Sequence, residues 1–336
     1  MAQRIGKSIK YEKSTAITAW AAQVGDKEGE GPMAQEFDKV YEDNYLGEDS
    51  CEKSDSKLPK NTVECLLKKS KKVIKDIDCI FTGDLLSQCI GSNYAFRDMS
   101  VQVVGLYGAC STMALGLINA ANFLEAGCGK NAIAATSSHF CSSERQFRFP
   151  LQYGGVRTPT CQWTVTGAGA SLLEASSPGV RITASRIGEI IDLGIKDQNN
   201  MGAGMAPAAC VTICEFLKDM NMKPDDFDCI VTGDLGSVGS DLLCQLTLKE
   251  YNTDISSVHR DCGMMIFDAE KQDVHAGGSG CGCSASLINS YFLNRLQSGA
   301  LKRIMYVATG ALLSPTTVKQ GETIPGIAHA VILEGE

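Results

Sequence analysis

The chain carries an internal repeat. Residues 78–88 read DCIFTGDLLSQ and residues 228–238 read DCIVTGDLGSV, so eight of eleven positions match at an offset of 150 residues. In both copies an amphipathic helix, at about 62–73 and about 208–220, leads into an apolar strand and a Gly-Asp turn. A repeat this long in a chain of 336 residues indicates two similar fused halves.

A second, fainter pair of segments supports a duplication. Residues 108–136 and 280–309 each read as a glycine-rich loop, a long helix and an apolar strand that ends in Ala-Thr. Helices and strands therefore alternate in both halves, which predicts an α/β fold with mixed or mostly parallel sheets covered by helices. Because the Ser-Ser-Pro-Gly stretch is a break, we expect the halves to span 1–176 and 177–336.

The segment at about 25–60 differs from the rest of the first half. It is acidic and rich in Gly, Ser, Lys and Glu. We interpret it as an insertion that forms a lid-like loop. Phe37, Val40, Tyr41 and Tyr45 stand at helical spacing and predict that part of it is ordered.

Charge and hydropathy exclude several classes of protein. The net charge is -8 and the pI about 5.2, so we expect no nucleic-acid partner and no pull toward anionic lipid. No stretch reaches the roughly 20 apolar residues of a spanning helix, and the N-terminus lacks the apolar run of a signal peptide. We therefore expect folding in a cytosol, with most of the fifteen cysteines as structural thiols.

Cys110 is the strongest candidate for chemistry. It follows a Tyr-Gly-Ala turn and precedes a helix at 111–126 that is apolar or small on every face and should be buried. Backbone N–H groups and the helix dipole would converge on its side chain. Such a position lowers the pKa of a thiol and also binds carboxylates without a covalent step. The structural alternative is an inert core thiol.

These motifs resemble the thiolase and ketoacyl-synthase superfamily. Its nucleophilic cysteine begins a buried helix in the first half, as Cys110 does here. Residues 167–170 resemble the superfamily's F-G-D-G-A-G-A segment, and residues 280–286 resemble G-H-P-x-G-A-S and G-N-T-S-A-A-S. The resemblance implies a thiolase-like layered αβαβα fold.

Longer segments are similar to the stage V sporulation protein AD family. They read GDKEGEGP, FDKVYEDNYLGEDS, YGACSTMALGL and SSERQFRFPLQYGGVRTPTCQWTVTGAGA. This resemblance implies uptake of dipicolinic acid into the developing spore, together with other stage V sporulation membrane proteins. It implies a place on the cytosolic side, peripheral to the spore or forespore membrane, without a transmembrane segment. A homodimer is also expected, with 133–135 as the candidate edge strand.

Two departures from the superfamily argue against catalysis. Acyl condensation needs donors for the developing oxyanion and a proton carrier. Cys281 stands where the superfamily has a second-half His or Asn, and Asp234 stands near the position of its other catalytic His. We therefore expect a non-catalytic binding protein for dipicolinic acid or its calcium chelate. The alternatives are a Cys-dependent acyltransferase or thioester hydrolase, and a structural scaffold of a membrane complex.

The ligand is expected across the starts of the two equivalent helices, with one carboxylate at each. Arginines of the stretch after 142 suit carboxylates through bidentate bonds. Solvated arginines paired with acidic neighbours such as Glu144 are the structural alternative. The expected ligand-binding residues are Cys110, Ser137, Ser138, His139, Arg145, Arg148 and Cys281, with Arg157 as a further candidate.

Other candidates favour structural roles. Asp84 and Asp234 occupy equivalent turns of the repeat and could flank one cleft, but a turn or capping role is preferred. Cys281 and Cys283, with Cys262 or His275, could share a soft metal. Repeated C-x2-C pairs typical of zinc sites do not occur, so we expect neither a metal nor a cofactor.

Overall fold

The structure, a computed structural model, describes residues 2–12, 15–147 and 157–335. Its strands are β1 (Gln3–Ile5), β2 (Ser8–Lys10), β3 (Thr15–Val24), β4 (Lys39–Val40), β5 (Cys79–Gly83), β6 (Gln102–Gly105), β7 (Asn131–Ser138), β8 (Trp163–Thr164), β9 (Gly167–Ala175), β10 (Val180–Arg186), β11 (Cys229–Thr232), β12 (His259–Asp261), β13 (Gly278–Ser279), β14 (Arg303–Ala311) and β15 (Gly326–Glu334). Its helices are α1 (Asp26–Gly29), α2 (Cys51–Ser70), α3 (Ile90–Phe96), α4 (Thr112–Glu125), α5 (Phe140–Phe147), α6 (Met201–Met220), α7 (Gly236–Tyr251), α8 (Cys262–Met265), α9 (Cys281–Leu287), α10 (Leu293–Gln297) and α11 (Pro315–Lys319).

The main sheet has the same five-strand pattern twice. Its order is β12-β11-β14-β15-β10-β3-β9-β7-β5-β6. Counted inward from either edge, the first three strands are parallel and the next two are antiparallel to their neighbours. The two patterns meet where β3 pairs with β10. The sheet is therefore mixed, and its two halves are related by a pseudo-two-fold.

The helices repeat as the strands do. α2 and α6 each have twenty residues, and they begin at Cys51 and Met201, again 150 positions apart. Both helices begin earlier than the sequence predicted. Pro59 and Pro207 lie inside them, and proline there usually marks a helix boundary. The prediction of two similar halves is confirmed.

Side-chain alternation along the strands builds five layers. Successive residues of a strand point to opposite faces of the sheet. Phe81 and Val231 face a central core shared with α4, α9 and α10, whereas Ile80 faces α2 and α3 and Ile230 faces α6. Each sheet half thus lies between an outer and a central helix layer. This is the predicted αβαβα arrangement.

The segment after β3 contradicts the predicted helical order. Lys39–Val40 runs parallel to the end of β3, where Tyr41 N donates to Val24 O at 2.9 Å. The open backbone of β3 offers hydrogen bonds that the side-chain spacing cannot reveal. Helix α2 begins within the proposed insertion at about 25–60. The extent of the insertion and the boundary between 1–176 and 177–336 stay predictions.

The candidate edge for dimerisation was also wrong. Ile133, Ala134 and Ala135 belong to β7, which lies between β5 and β9. A short apolar run is typical of a strand covered on both faces, so it marks a central strand and not an edge. The outermost strand of this half is β6. None of the helices in the described ranges is long and apolar enough to cross a membrane.

Candidate functional site

Cys110 lies in a strained loop between β6 and α4. Ala109, just before it, has a φ of 50°, a conformation uncommon for residues other than glycine. Ser111 Oγ donates to Gly108 O at 2.6 Å, and Thr112 Oγ1 donates to Ala109 O at 2.7 Å. These bonds stabilise the turn. They place Cys110 directly before α4 with only 7% of its surface exposed.

Asp234 reaches Cys110 from the second half of the chain. It follows β11, and its buried carboxyl group lies close enough to Cys110 for its charge to raise the pKa of the thiol. The carboxyl also accepts bonds from Gly280 N at 2.9 Å and from Thr309 Oγ1 at 2.8 Å. The preferred turn or capping role is therefore too narrow for Asp234. Its side chain joins β14 and the start of α9 close to the Cys110 loop.

Cys281 completes this cluster from the start of α9. It is fully buried and packs with Cys110, Leu85 and Phe147. Its Sγ donates to Ser137 O at 2.9 Å. The pseudo-two-fold thus brings together Cys110, Asp234 and Cys281, the three residues that lie at or near catalytic positions of the superfamily.

The surroundings of the Cys110 thiol oppose its ionisation. Burial, followed by the nearby Asp234 carboxylate, raises its pKa well above the usual range, and burial raises the pKa of Asp234 to about 7. This direction is opposite to the lowered pKa that a position before a helix favours, and it agrees with the alternative of a core thiol. A helix terminus contributes only about 0.3–1 kcal/mol, which desolvation and an adjacent negative charge outweigh.

A cleft opens above Cys110. It holds about 510 Å³ of empty space, open solvent at its mouth included. Its lining comes from both halves of the chain. The apolar side chains that line it are Leu85, Tyr107, Phe147, Met201, Ala311 and Leu313. The polar ones are Ser143, Glu144, Thr164 and Gln198.

The predicted serines lie behind this cleft, at the end of β7. Ser137 and Ser138 are fully buried. Ser138 Oγ donates to Val165 O at 2.7 Å and accepts from Gly282 N at 3.0 Å. Gly280 N donates to the carboxyl of Asp234. The N–H groups of Gly280 and Gly282, near the start of α9, are therefore not available to a ligand.

His139 and Arg145 are two of the predicted ligand-binding residues. His139 points toward the segment before α2, and Arg145 points toward α2. His139 Nε2 lies 2.6 Å from Asn44 O, and burial lowers the pKa of this imidazole. Arg145 forms an ion pair of 2.8 Å with Glu52 and is partly exposed. Neither side chain lines the cleft. Arg148 lies outside the described residues. The ligand-binding roles of all three stay predictions.

Two further candidates have structural contacts. Asp84 accepts bonds from Leu86 N at 2.8 Å and Ser92 N at 2.7 Å, which confirms its turn role at the start of α3. Arg157 Nη1 donates to Asp273 O at 2.9 Å. Asp84 and Asp234, which occupy equivalent turns of the repeat, thus have different hydrogen-bond partners.

The metal alternative finds no support in the cysteine positions. Cys281 packs beside Cys110, whereas Cys283 packs in the central core together with Cys262. Residues two apart on a helix do not face each other. Over 2–12, 15–147 and 157–335, no group of three or more His, Cys, Asp or Glu side chains is arranged to hold a metal ion.

Helix α5 supplies the cleft residues that sequence reasoning missed. Ser143, Glu144 and Phe147 line the cleft, and Glu144 accepts a bond of 2.9 Å from Thr164 Oγ1. Residues at spacings of three and four share one helix face, so Arg145 turns to the other side. That spacing was the available signal. It was missed because no helix was predicted for this stretch.

Solved structures with the same fold are enzymes. A 3-oxoacyl-[acyl-carrier-protein] synthase III from Aquifex aeolicus matches with a TM-score of 0.57 at 13% identity, over 95% of this chain and 99% of that one. Cerulenin-bound OleA from Xanthomonas campestris matches with a TM-score of 0.58 at 13% identity, over the same shares. At such identities the likeness shows the fold alone, and it confirms the thiolase-like class.

Sequence relatives are much closer. Stage V sporulation protein AD of Bacillus subtilis (strain 168) is 41% identical over 324 residues, which cover 96% of this chain and 95% of that protein. The family described as "Stage V sporulation protein AD (SpoVAD)" matches residues 6–334. A match of this extent, on a thiolase-like fold, shows that the chain belongs to the stage V sporulation protein AD family.

Proposed function

We propose that the chain is a non-catalytic binding protein for dipicolinic acid, alone or as its calcium chelate, and supports its uptake into the developing spore. One observation carries the proposal. A cleft opens above Cys110, but the ionisable group of the second half that lies near the thiol is the buried carboxyl of Asp234 and not a histidine. The identity of the ligand rests on the resemblance to the family.

The cluster beneath the cleft is poorly suited to acyl condensation. That reaction needs a nucleophilic thiolate, a proton carrier and donors for the developing oxyanion. The raised pKa of Cys110 keeps its thiol neutral near pH 7. Cys281 Sγ is engaged with Ser137 O, and an ionised Asp234 would oppose a carbanion. These features disfavour the Cys-dependent acyltransferase or thioester hydrolase.

The cleft offers contacts that suit a flat aromatic acid. Leu85 and Phe147 provide apolar surface for the faces of a ring. Ser143 Oγ is buried and has no hydrogen-bond partner among the described residues. A buried hydroxyl without a partner costs free energy that a bound carboxylate would recover. We propose that Arg148 contributes the positive charge, with Cys110 at the floor.

Steric blocking of the cleft tests the proposal. Cys110→Trp fills the cleft floor and should weaken dipicolinate binding by calorimetry at least about tenfold, which is more than about 1.4 kcal/mol. Cys128→Trp, at an exposed cysteine, is the matched control and should bind normally. Each titration is run with and without calcium.

Unchanged affinity in a folded Cys110→Trp protein would reject the cleft as the binding site and favour a structural scaffold. Gly280 is a poorer probe than Cys110. Its φ of 98° and a Cβ position only 2.7 Å from Ser138 Oγ mean that any side chain there would disturb the backbone.

The setting of the function is proposed with it. We place the protein on the cytosolic side, peripheral to the spore or forespore membrane, as a homodimer. Its partners would be other stage V sporulation membrane proteins, which supply the passage through the bilayer. The observation in favour is the family membership.

A further inference from the structure

The turn after α2 is the most basic stretch of the chain. Residues 68–75 read KKSKKVIK, so five of these eight residues are lysines in a protein whose net charge is -8. Salt screens charges beyond about 8–10 Å, so a local cluster acts on a nearby partner even when the net charge has the opposite sign. The expectation of no pull toward anionic lipid rested on the net charge and took no account of this turn.

The repeat supplies an internal comparison, because the same turn follows α6. Residues 218–225, at the offset of 150, read KDMNMKPD, with two lysines and two aspartates. Both turns end their helix with a residue in the left-handed conformation, Lys71 at a φ of 56° and Asn221 at a φ of 53°. The backbone of the turn therefore forms without a cluster of lysines.

Structural contacts explain only part of the cluster. Asparagine suits a left-handed position better than lysine, so the turn itself does not require Lys71. Lys69 pairs with Asp38 at 2.7 Å, and Lys72 pairs with Glu174 at 2.9 Å. These two ion pairs account for two of the five lysines.

The other three lysines are available to a partner. Lys68, Lys71 and Lys75 are exposed, and none of them forms an ion pair with another residue of the described ranges. Between them the side chain of Val73 is 61% exposed. Cations around an exposed apolar side chain match an anionic bilayer, whose headgroups attract lysines and whose acyl boundary accepts an apolar group.

We propose that residues 68–75 form a membrane-docking turn, in which the exposed lysines bind anionic lipid headgroups and Val73 enters the bilayer surface. This docking turn rests on the proposed function for its setting, a location peripheral to a membrane. A nucleic acid offers the same negative charge without an apolar layer for Val73.

The docking turn and the cleft lie at opposite ends of the same strand. The turn leads into β5, and Leu85, which follows the strand, lines the cleft. The five residues of β5 separate the two ends by roughly 17 Å. A bilayer against the docking turn therefore leaves the cleft open to the solution from which a ligand enters.

Co-sedimentation with lipid vesicles tests the docking turn. At about 0.1 M salt, wild-type protein should bind vesicles of phosphatidylcholine with about 30% phosphatidylglycerol and bind pure phosphatidylcholine only weakly. The triple variant Lys68→Gln, Lys71→Gln, Lys75→Gln loses three charges, and its affinity should fall on the order of 100-fold. Val73→Ser should lower the affinity about tenfold.

The matched control is the triple variant Lys249→Gln, Lys271→Gln, Lys319→Gln. It loses the same three charges at exposed lysines elsewhere and should bind vesicles as the wild type does. An equal loss in the two triple variants, or no binding of the wild type to anionic vesicles, overturns the proposal. Competition by DNA combined with unchanged affinity in Val73→Ser would indicate a general polyanion site and also overturn it.

Calorimetry with dipicolinate separates the docking turn from the proposed function. The variant of Lys68, Lys71 and Lys75 should bind dipicolinate with wild-type affinity, because these lysines do not line the cleft. Its loss of vesicle binding alone would support the docking turn. Absence of dipicolinate binding in every folded protein would reject the proposed ligand, and the vesicle measurement would still decide the docking turn.

Discussion

At the residue scale, the chemistry of Cys110 depends on what surrounds the thiol. The same residue at an exposed helix start would be acidic and reactive. Here it is buried beside Asp234 and Cys281, and both neighbours raise its pKa further. A neutral thiol donates only weakly and is a poorer nucleophile than a thiolate.

Cys110 should therefore react slowly. With iodoacetamide near pH 8, its alkylation should be at least about tenfold slower than that of exposed Cys128, because little thiolate forms. Peptide mass spectrometry over a time course measures both rates in one sample. Faster alkylation of Cys110, or acetyl-CoA turnover that is lost in Cys110→Ala, would show a reactive thiol and favour the acyltransferase hypothesis.

At the element scale, the edge strand β6 of the sheet is exposed. All four residues of β6 are exposed, and Val103 and Val104 are 36% and 40% accessible. Backbone groups along an open apolar edge favour pairing with another strand. A second copy related by a two-fold axis would pair β6 with β6 and extend the sheet across the dimer.

Replacing Val104 by Lys should weaken that dimer. A charge on an edge strand opposes pairing because the charge must be desolvated at the interface. Light scattering at micromolar concentration should show a dimer for wild type and mostly monomer for Val104→Lys. Val73→Lys, at an apolar residue that is 61% exposed elsewhere, is the control. Equal masses for all three proteins would contradict the β6 interface.

At the scale of the whole molecule, buried ionisable groups couple stability to pH. Burial raises the pKa of Glu28 to about 8 and that of Asp234 to about 7, and it lowers the pKa of His259 and His329 to about 4. Buried neutral histidines cost stability as pH falls below about 6.5. A buried neutral carboxyl group costs stability as the pH rises from its pKa in the unfolded chain to its pKa in the folded chain.

Stability should therefore fall between pH 6.5 and pH 8. Between these values the unfolded chain has released the Glu28 proton and the folded chain still holds it. The free energy of unfolding should drop by about 2 kcal/mol. Urea titrations at both pH values measure it, and Glu28→Gln should remove most of the drop. A wild-type protein that is equally stable at both values would contradict the assignment.

Much of the fold could be predicted from the sequence. The repeat at offset 150 determined two similar halves, and the periodicities of its segments determined helices that alternate with strands. The repeat placed Asp234 in a turn after an apolar strand, the second pair of segments placed Cys110 and Cys281 at the starts of equivalent helices, and the structure brings the three residues together. These features are encoded locally or by self-similarity, so no knowledge of distant contacts is needed.

Only the tertiary structure decided the ionisation of the site and the identity of its walls. The pKa of Cys110 depends on desolvation by residues far away in the chain, and Asp234 is the principal charge among them. The rotation of α5 determines that Glu144 lines the cleft while Arg145 pairs with Glu52. Strand order made β6 an edge and β7 a centre. The pKa of Cys110, the rotation of α5 and the strand order each depend on which surfaces pack together. Local sequence patterns do not specify that packing, because its free energy is shared among residues distant in sequence.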